Sequence, residues 1–171
     1  MSPLMLALAL AAAPDGSPSI IALTVEGDVR VELSVGAARA PEVIGADVEV
    51  RGPSAGTLIV LAPARARASR PVVRVRVEGP ALAVTLARGA QLQAAPGRLD
   101  ALRLEVRHTS RADTTAIAAK ALDLTVSEAG RVRARGEVVT VRAERSAQVT
   151  LVGKPKKLAQ DVRDAARLTV E

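Results

Sequence analysis

The chain of 171 residues contains no phenylalanine, tyrosine or tryptophan. An aromatic side chain buries about 150–250 Å² in an ordinary core. A wide core of that kind is therefore excluded, and the interior has to be built from Val, Leu, Ile and Ala. Small aliphatic side chains stacked in rows suit a narrow core. Cysteine is also absent, which rules out a disulfide framework and a thiolate metal site. With no aromatic ring to stack on bases, binding of single-stranded nucleic acid is not expected, and no nucleic-acid partner is assigned. Lysine is scarce: 4 Lys stand beside 20 Arg in a chain of net charge +6. No apolar run reaches the roughly 20 residues that span a bilayer. The longest is Leu4 to Ala13, ending in Ala11-Ala12-Ala13. It has the apolar stretch and small-residue end of a secretory signal, although no Lys or Arg precedes it and Pro14 follows it directly. Residues 14–19 (Pro-Asp-Gly-Ser-Pro-Ser) read as a linker. The expectation is a signal peptide and linker over 1–19, a mature domain over 20–171, and a product in the periplasm, at the outer membrane or outside the cell.

What is present is a repeat. Apolar alternating runs begin at Leu82, Leu102, Leu122, Val139 and Leu158, and a second set begins at Leu92, Ala112, Val132, Val149 and Leu168. Within each repeat the two starts are 10 residues apart, and successive repeats step by 20, 20, 17 and 19. A period near 20 with strand-type runs indicates an all-β, single-domain parallel β-helix, a β-solenoid with coils of about 20 residues. Leu82, Val84 and Leu86 should face inward, and above them Leu102, Leu104 and Val106, then Leu122, Leu124 and Val126, then Val139, Val141 and Ala143. In the last coil the pattern weakens to Leu158, Gln160 and Val162. The short step falls at Arg135-Gly136-Glu137 and should shorten a corner without moving either strand. Leu158, Val162 and Ala165–Ala166 also have a helical spacing, but Leu168-Thr169-Val170 completes the strand pattern.

Ahead of the repeats, strand-like runs occupy Leu23 to Leu33 (broken at Glu26-Gly27-Asp28), Asp47 to Arg51, Leu58 to Leu61 and Val72 to Val77. The first three do not follow the period. They read as an irregular N-terminal capping section of the sort that closes a solenoid. Pro63 to Arg70 reads as a surface loop.

The repeat stretches Leu82 to Leu92, Leu102 to Ala112, Leu122 to Val132 and Val139 to Val149 resemble those of the auto-transporter adhesin head GIN domain family. The similarity extends to Gly56-Thr57-Leu58-Ile59-Val60 and to Leu151-Val152-Gly153-Lys154-Pro155, and covers roughly Leu23 to Val170. Typical members turn each corner with Ser-Gly-Ser-Gly-Asp. Here the corners read Ala87-Arg88-Gly89-Ala90, His108-Thr109-Ser110-Arg111, Ser127-Glu128-Ala129-Gly130 and Glu144-Arg145-Ser146-Ala147. Glycine is favoured where φ is positive, so these corners should use another geometry or hold strain. The resemblance implies a non-enzymatic, adhesin-like binding or structural module of the bacterial envelope. A self-assembling scaffold, with solenoid ends stacked into filaments, is the alternative.

Candidate chemistry is sparse. His108, the single histidine, sits at a corner beside Ser110 and near Asp113 in sequence, yet spacing alone builds no nucleophile–base–carboxylate array. Asp100, Glu105, Asp113, Asp123 and Glu128 scatter across faces and suggest no metal, and no cofactor is expected. The site-like signal is a basic ladder. Outward positions of the second strand row read Gln91, Arg111, Arg131, Gln148 and Arg167, beside Gln93, Asp113, Arg133, Thr150 and Thr169. Arg111 over Arg131 is a like-charge pair, costly unless an anion binds. Arg111, Arg131, Arg133 and Arg167 are therefore the candidate partner-binding residues, for an anionic glycan, an envelope lipid or an acidic surface protein. Arg65, Arg67, Arg70, Arg74 and Arg76 form a separate cluster. Lys154, Lys156, Lys157, Asp161, Arg163, Asp164 and Arg167 concentrate charge on the final coil, as an edge guarded against stacking would.

Overall fold

The computed structural model describes residues 20–63 and 70–171. The expected signal peptide and linker lie outside the described residues, as do Arg65 and Arg67. Most strands arise where Val or Leu alternates with Arg, Thr, Glu or Ala, because successive side chains of extended backbone point to opposite faces. The strands are β1 (Ala22–Glu26), β2 (Arg30–Val35), β3 (Arg39–Ile44), β4 (Glu49–Ser54), β5 (Thr57–Leu61), β6 (Val72–Val77), β7 (Ala81–Ala87) and β8 (Gln91–Ala94). They continue with β9 (Gly97–Val106), β10 (Arg111–Asp113), β11 (Ile117–Val126), β12 (Arg131–Ala134), β13 (Gly136–Ala143), β14 (Gln148–Leu151), β15 (Lys157–Val162) and β16 (Arg167–Val170).

Two eight-stranded sheets face each other. One runs β15-β13-β11-β9-β7-β1-β5-β4 and the other β16-β14-β12-β10-β8-β2-β6-β3. All pairings are parallel except β3 with β6 and β4 with β5. Each pair of strands joined by a corner thus forms one rung of a stack, and adjacent rungs lie about 4.7–4.9 Å apart. The inward residues form continuous columns between the sheets. Val84, Leu104, Leu124 and Val141 are in register, and Leu23 and Leu58 extend the same column. All six are essentially fully buried. In-register like-on-like stacking lets a core of aliphatic side chains alone close without gaps.

The 17-residue step leaves the register intact: Leu122 pairs with Val139, and Val132 with Val149. The N-terminal section differs from the expected irregular cap. The rung of β1 and β2 is inserted between that of β5 and β6 and that of β7 and β8. Only β3 and β4 form an antiparallel closure at the edge. β3 was not anticipated, since Arg39-Ala40-Pro41-Glu42-Val43-Ile44 lacks alternation and contains proline. The helical reading of Leu158 to Leu168 gives way to β15 and β16.

The corners keep left-handed backbone largely without glycine, Gly89 being the exception among the repeat corners. Arg88, His108, Glu128, Ala129, Arg145, Ser146, Asp164 and Ala165 all have φ between 51° and 65°. Each corner closes a tight turn, for example Gly130 N donating to Ser127 O at 3.0 Å and Ala166 N to Arg163 O at 3.0 Å. The strain anticipated for these sequences is therefore present. Such a conformation costs a non-glycine residue about 1–2 kcal/mol, partly offset by the chain entropy that glycine would lose. Ala129→Gly, at an exposed corner with φ 65°, should stabilise the fold by about 0.5–1 kcal/mol. Ala121→Gly, at an exposed position inside β11, should destabilise it. Urea unfolding of the two variants checks the signs, and a loss of stability from Ala129→Gly would contradict the argument.

Candidate basic face

The outer face of the second sheet carries the ladder in the register read from sequence. Arg111 pairs with Gln91 on one side and Arg131 on the other, Arg131 with Gln148, and Gln148 with Arg167. The parallel pairing of β2 with β8 adds Arg30 beside Gln91. Because the strands are parallel and in register, Arg111 and Arg131 stand one rung apart on the same face. Their side chains have no acidic partner and no hydrogen bond among the described residues, and the same holds for Arg167. The neighbouring row does not compensate them. Asp113 turns back on its own loop, accepting from Thr115 N at 3.1 Å and from Thr115 Oγ1 at 2.7 Å. Arg133 is bound by Glu171 at 2.9 Å, and that contact raises its guanidinium above the ordinary arginine value.

A second like-charge pair lies on this face, which the sequence did not reveal. β3 runs antiparallel along β6 and sets Arg39 directly opposite Arg76. Neither guanidinium has an acidic partner among the described residues. Arg74, one row over, is held by Glu32 at 3.1 Å and Glu42 at 3.3 Å, and these contacts raise its pKa. Arg70 pairs with Asp28 at 2.5 Å. The basic cluster that reads as separate in sequence therefore shares one face with the ladder. Two shallow troughs run along it, of about 510 Å³ and 430 Å³. Both are lined by Arg30 and Gln93, whose side chains are joined by a hydrogen bond at the border between the two troughs. The signal that would have exposed the Arg39–Arg76 pair is the antiparallel register of β3, which local sequence does not carry.

His108 and its neighbours do not assemble a catalytic array. His108 Nε2 lies 3.2 Å from Glu128 Oε2 at the exposed corner. Ser110 is buried and its Oγ accepts the Gly89 N–H at 3.2 Å, while Asp113 is committed to Thr115. Among the described residues no group of three or more His, Cys, Asp or Glu stands close enough to hold a metal ion. The opposite sheet offers a balanced surface instead, with Arg103 Nη2 on Asp123 Oδ2 at 3.0 Å.

A family model described as "Putative auto-transporter adhesin, head GIN domain" matches residues 21–164. A comparison with curated proteins gives no match.

Proposed function

From the premise that this chain belongs to the auto-transporter adhesin head GIN domain family, whose domain is non-catalytic, we propose that it is an adhesin-like envelope module. It is exposed at the cell surface and uses the outer face of its second sheet to hold an extended acidic glycan. The observation that carries this reading is the presence on one face of two arginine couples without acidic partners among the described residues, Arg39–Arg76 and Arg111–Arg131, each lining one of two adjoining troughs. Like charges directly opposite on a sheet are destabilising, and a polyanion laid across the rungs relieves both couples at once. Solvent-exposed ionic contacts weaken with added salt. In a glycan and lipid array, acidic glycans should therefore be retained at low ionic strength and released as salt rises. Arg111→Glu combined with Arg131→Glu should abolish retention while leaving the unfolding curve in place. Retention unchanged by the double reversal, or insensitive to salt, would remove this face as the binding site.

End-to-end assembly is favoured by a different observation. On the outermost rung, Leu158, Val162 and Val170 are 38%, 36% and 44% exposed, although Leu158 and Val162 continue inward columns. Lys156 is engaged with Glu137, and Arg163 with Asp161, while the exposed inward row of that rung reads Leu158, Gln160 and Val162. Light scattering separates the two readings. Open-ended growth with concentration supports the scaffold, and a discrete species supports the binding module.

A further inference from the structure

A notch opens on the side of the stack where the β12–β13 corner is short. Between the pairs Asp113↔Arg133 and Ala119↔Gly136, one coil has five residues (114–118) and the next only two, Ala134 and Arg135. The coil beyond is long again, with residues 152–156 between the partners of Ala134 and Val138. The short corner is thus recessed between longer ones, and a cavity of about 580 Å³ lies there. Its floor is small: Ala118, Ala119 and Gly136. A Cβ at Gly136 would lie 2.8 Å from Leu122 Cβ, so the floor is already in contact with the core beneath it.

The walls are charged in an ordered way. Asp100, Lys120, Glu137 and Lys156 alternate rung by rung, with Lys120 Nζ 2.6 Å from Asp100 Oδ1 and Lys156 Nζ 2.6 Å from Glu137 Oε2. The Asp100 contact raises the Lys120 pKa, and the Lys156 contact lowers that of Glu137, so each contact favours the ionised form of Lys120 and of Glu137. Beside this satisfied ladder stand Arg98, Arg135 and Lys154, which line the same cavity and have no acidic partner among the described residues. The lining holds no aromatic ring, and no residue is shared with the arginine troughs.

We propose that this notch binds a sugar carrying a phosphate or sulfate monoester, with Arg98, Arg135 and Lys154 holding the ester oxygens. Three unneutralised cations around one small recess suit a compact tetrahedral anion, and guanidinium forks match its oxygens in pairs. The cavity is within the range of small-ligand sites, about 300–1,000 Å³, and so has room for more than the anion. The carboxylates of Asp100 and Glu137 keep lone pairs beyond those given to the lysines, and accept hydrogen bonds from sugar hydroxyls. The site is independent of the glycan trough and does not rest on it.

The test is an amide chemical-shift titration of the full chain at low salt. The probes are hexose 6-phosphate, hexose 6-sulfate, inorganic phosphate and the unmodified hexose. At least one ester should give saturable shifts confined to amides near Arg98, Ala118, Ala119, Arg135, Gly136 and Lys154, and inorganic phosphate should bind more weakly. Arg98→Glu with Arg135→Glu should weaken ester binding by about tenfold or more. Inserting three residues after Ala134, which lengthens the corner and fills the notch while keeping every charge, should abolish it. The double variant supplies the answer if the insertion disturbs folding. The proposal is overturned by an absence of saturable shifts with both esters, by shifts centred on Arg111 and Arg131, or by undiminished binding in the double variant. Equal binding of inorganic phosphate overturns the sugar assignment.

Discussion

Leu124→Arg should cost several kcal/mol and come close to unfolding the domain, whereas Thr125→Arg, one residue along, should be nearly neutral. Leu124 is completely buried in the central column, in register with Leu104 on one side and Val141 on the other. A guanidinium there would meet only aliphatic carbon and no carboxylate, and an uncompensated buried charge costs about 3–5 kcal/mol. Removing volume is less severe but still large, so Leu124→Ala should cost about 2–5 kcal/mol. Thr125 is exposed on the outer face of the same strand, next to Glu105 and Arg142. A surface substitution there should stay within about 0.5 kcal/mol. Equilibrium urea unfolding of the three variants decides the matter. If positions 124 and 125 tolerated arginine equally, the inward and outward faces of β11 would have to be exchanged.

Gly27→Ala should be the most damaging single-methyl addition in the described chain. Gly27 has φ +94°, and a Cβ built there would lie 1.7 Å from the carbonyl oxygen of Ala62 and 2.7 Å from its carbon. The obstacle is backbone, so no rotamer change relieves it. The same corner is tied to both neighbouring rungs: Gly27 N donates to Ala87 O at 3.1 Å, and Ala62 N donates to Glu26 O at 2.9 Å. Accommodating the methyl means pulling the end of β5 away from β1, with an expected loss of about 3 kcal/mol or more from strain and broken pairing. Gly89→Ala is the control. Its φ is +89° but nothing lies within 4 Å of the added atom, so only the dihedral cost of about 1–2 kcal/mol applies. Hydrogen exchange should report lost protection at Ala62 and along β5 in the first variant and not in the second. Equal destabilisation would mean that the close approach of Ala62 contributes nothing.

Gly27 also illustrates where sequence reading stops. In the sequence Glu26-Gly27-Asp28 is legible as a break between two strands, and the break is there. That the position requires glycine follows from Ala62, 35 residues later, and from the way the β5 rung is seated on the β1 rung. The corners of the repeat behave differently. Their departure from glycine-rich turns announced either new geometry or strain, and the φ values at Glu128, Ala129, Arg145 and Ser146 give strain. The constraint was visible because every rung demands the same turn. The charge on the last coil was visible as well, but its orientation was not. Alternation put Leu158 and Val162 inward, and only the absence of a covering rung among the described residues makes that inward surface an exposed end.

The sequence by itself determined the stack from β7 to β16. Period-2 alternation is a local property, and a repeat near 20 places each inward residue over its counterpart one rung earlier. The columns through Val84, Leu104, Leu124 and Val141, and the ladder through Arg111 and Arg131, follow from counting residues. Tertiary structure alone decided the order of the N-terminal rungs and the composition of the basic face. A parallel edge strand offers the same hydrogen-bonding groups to any strand of matching length and alternation. Nothing local therefore dictates that β1 lies between β5 and β7, or that β3 turns antiparallel and brings Arg39 opposite Arg76. Those choices depend on contacts between segments far apart in the chain, such as Ala62 against Gly27, whose energies no local pattern encodes.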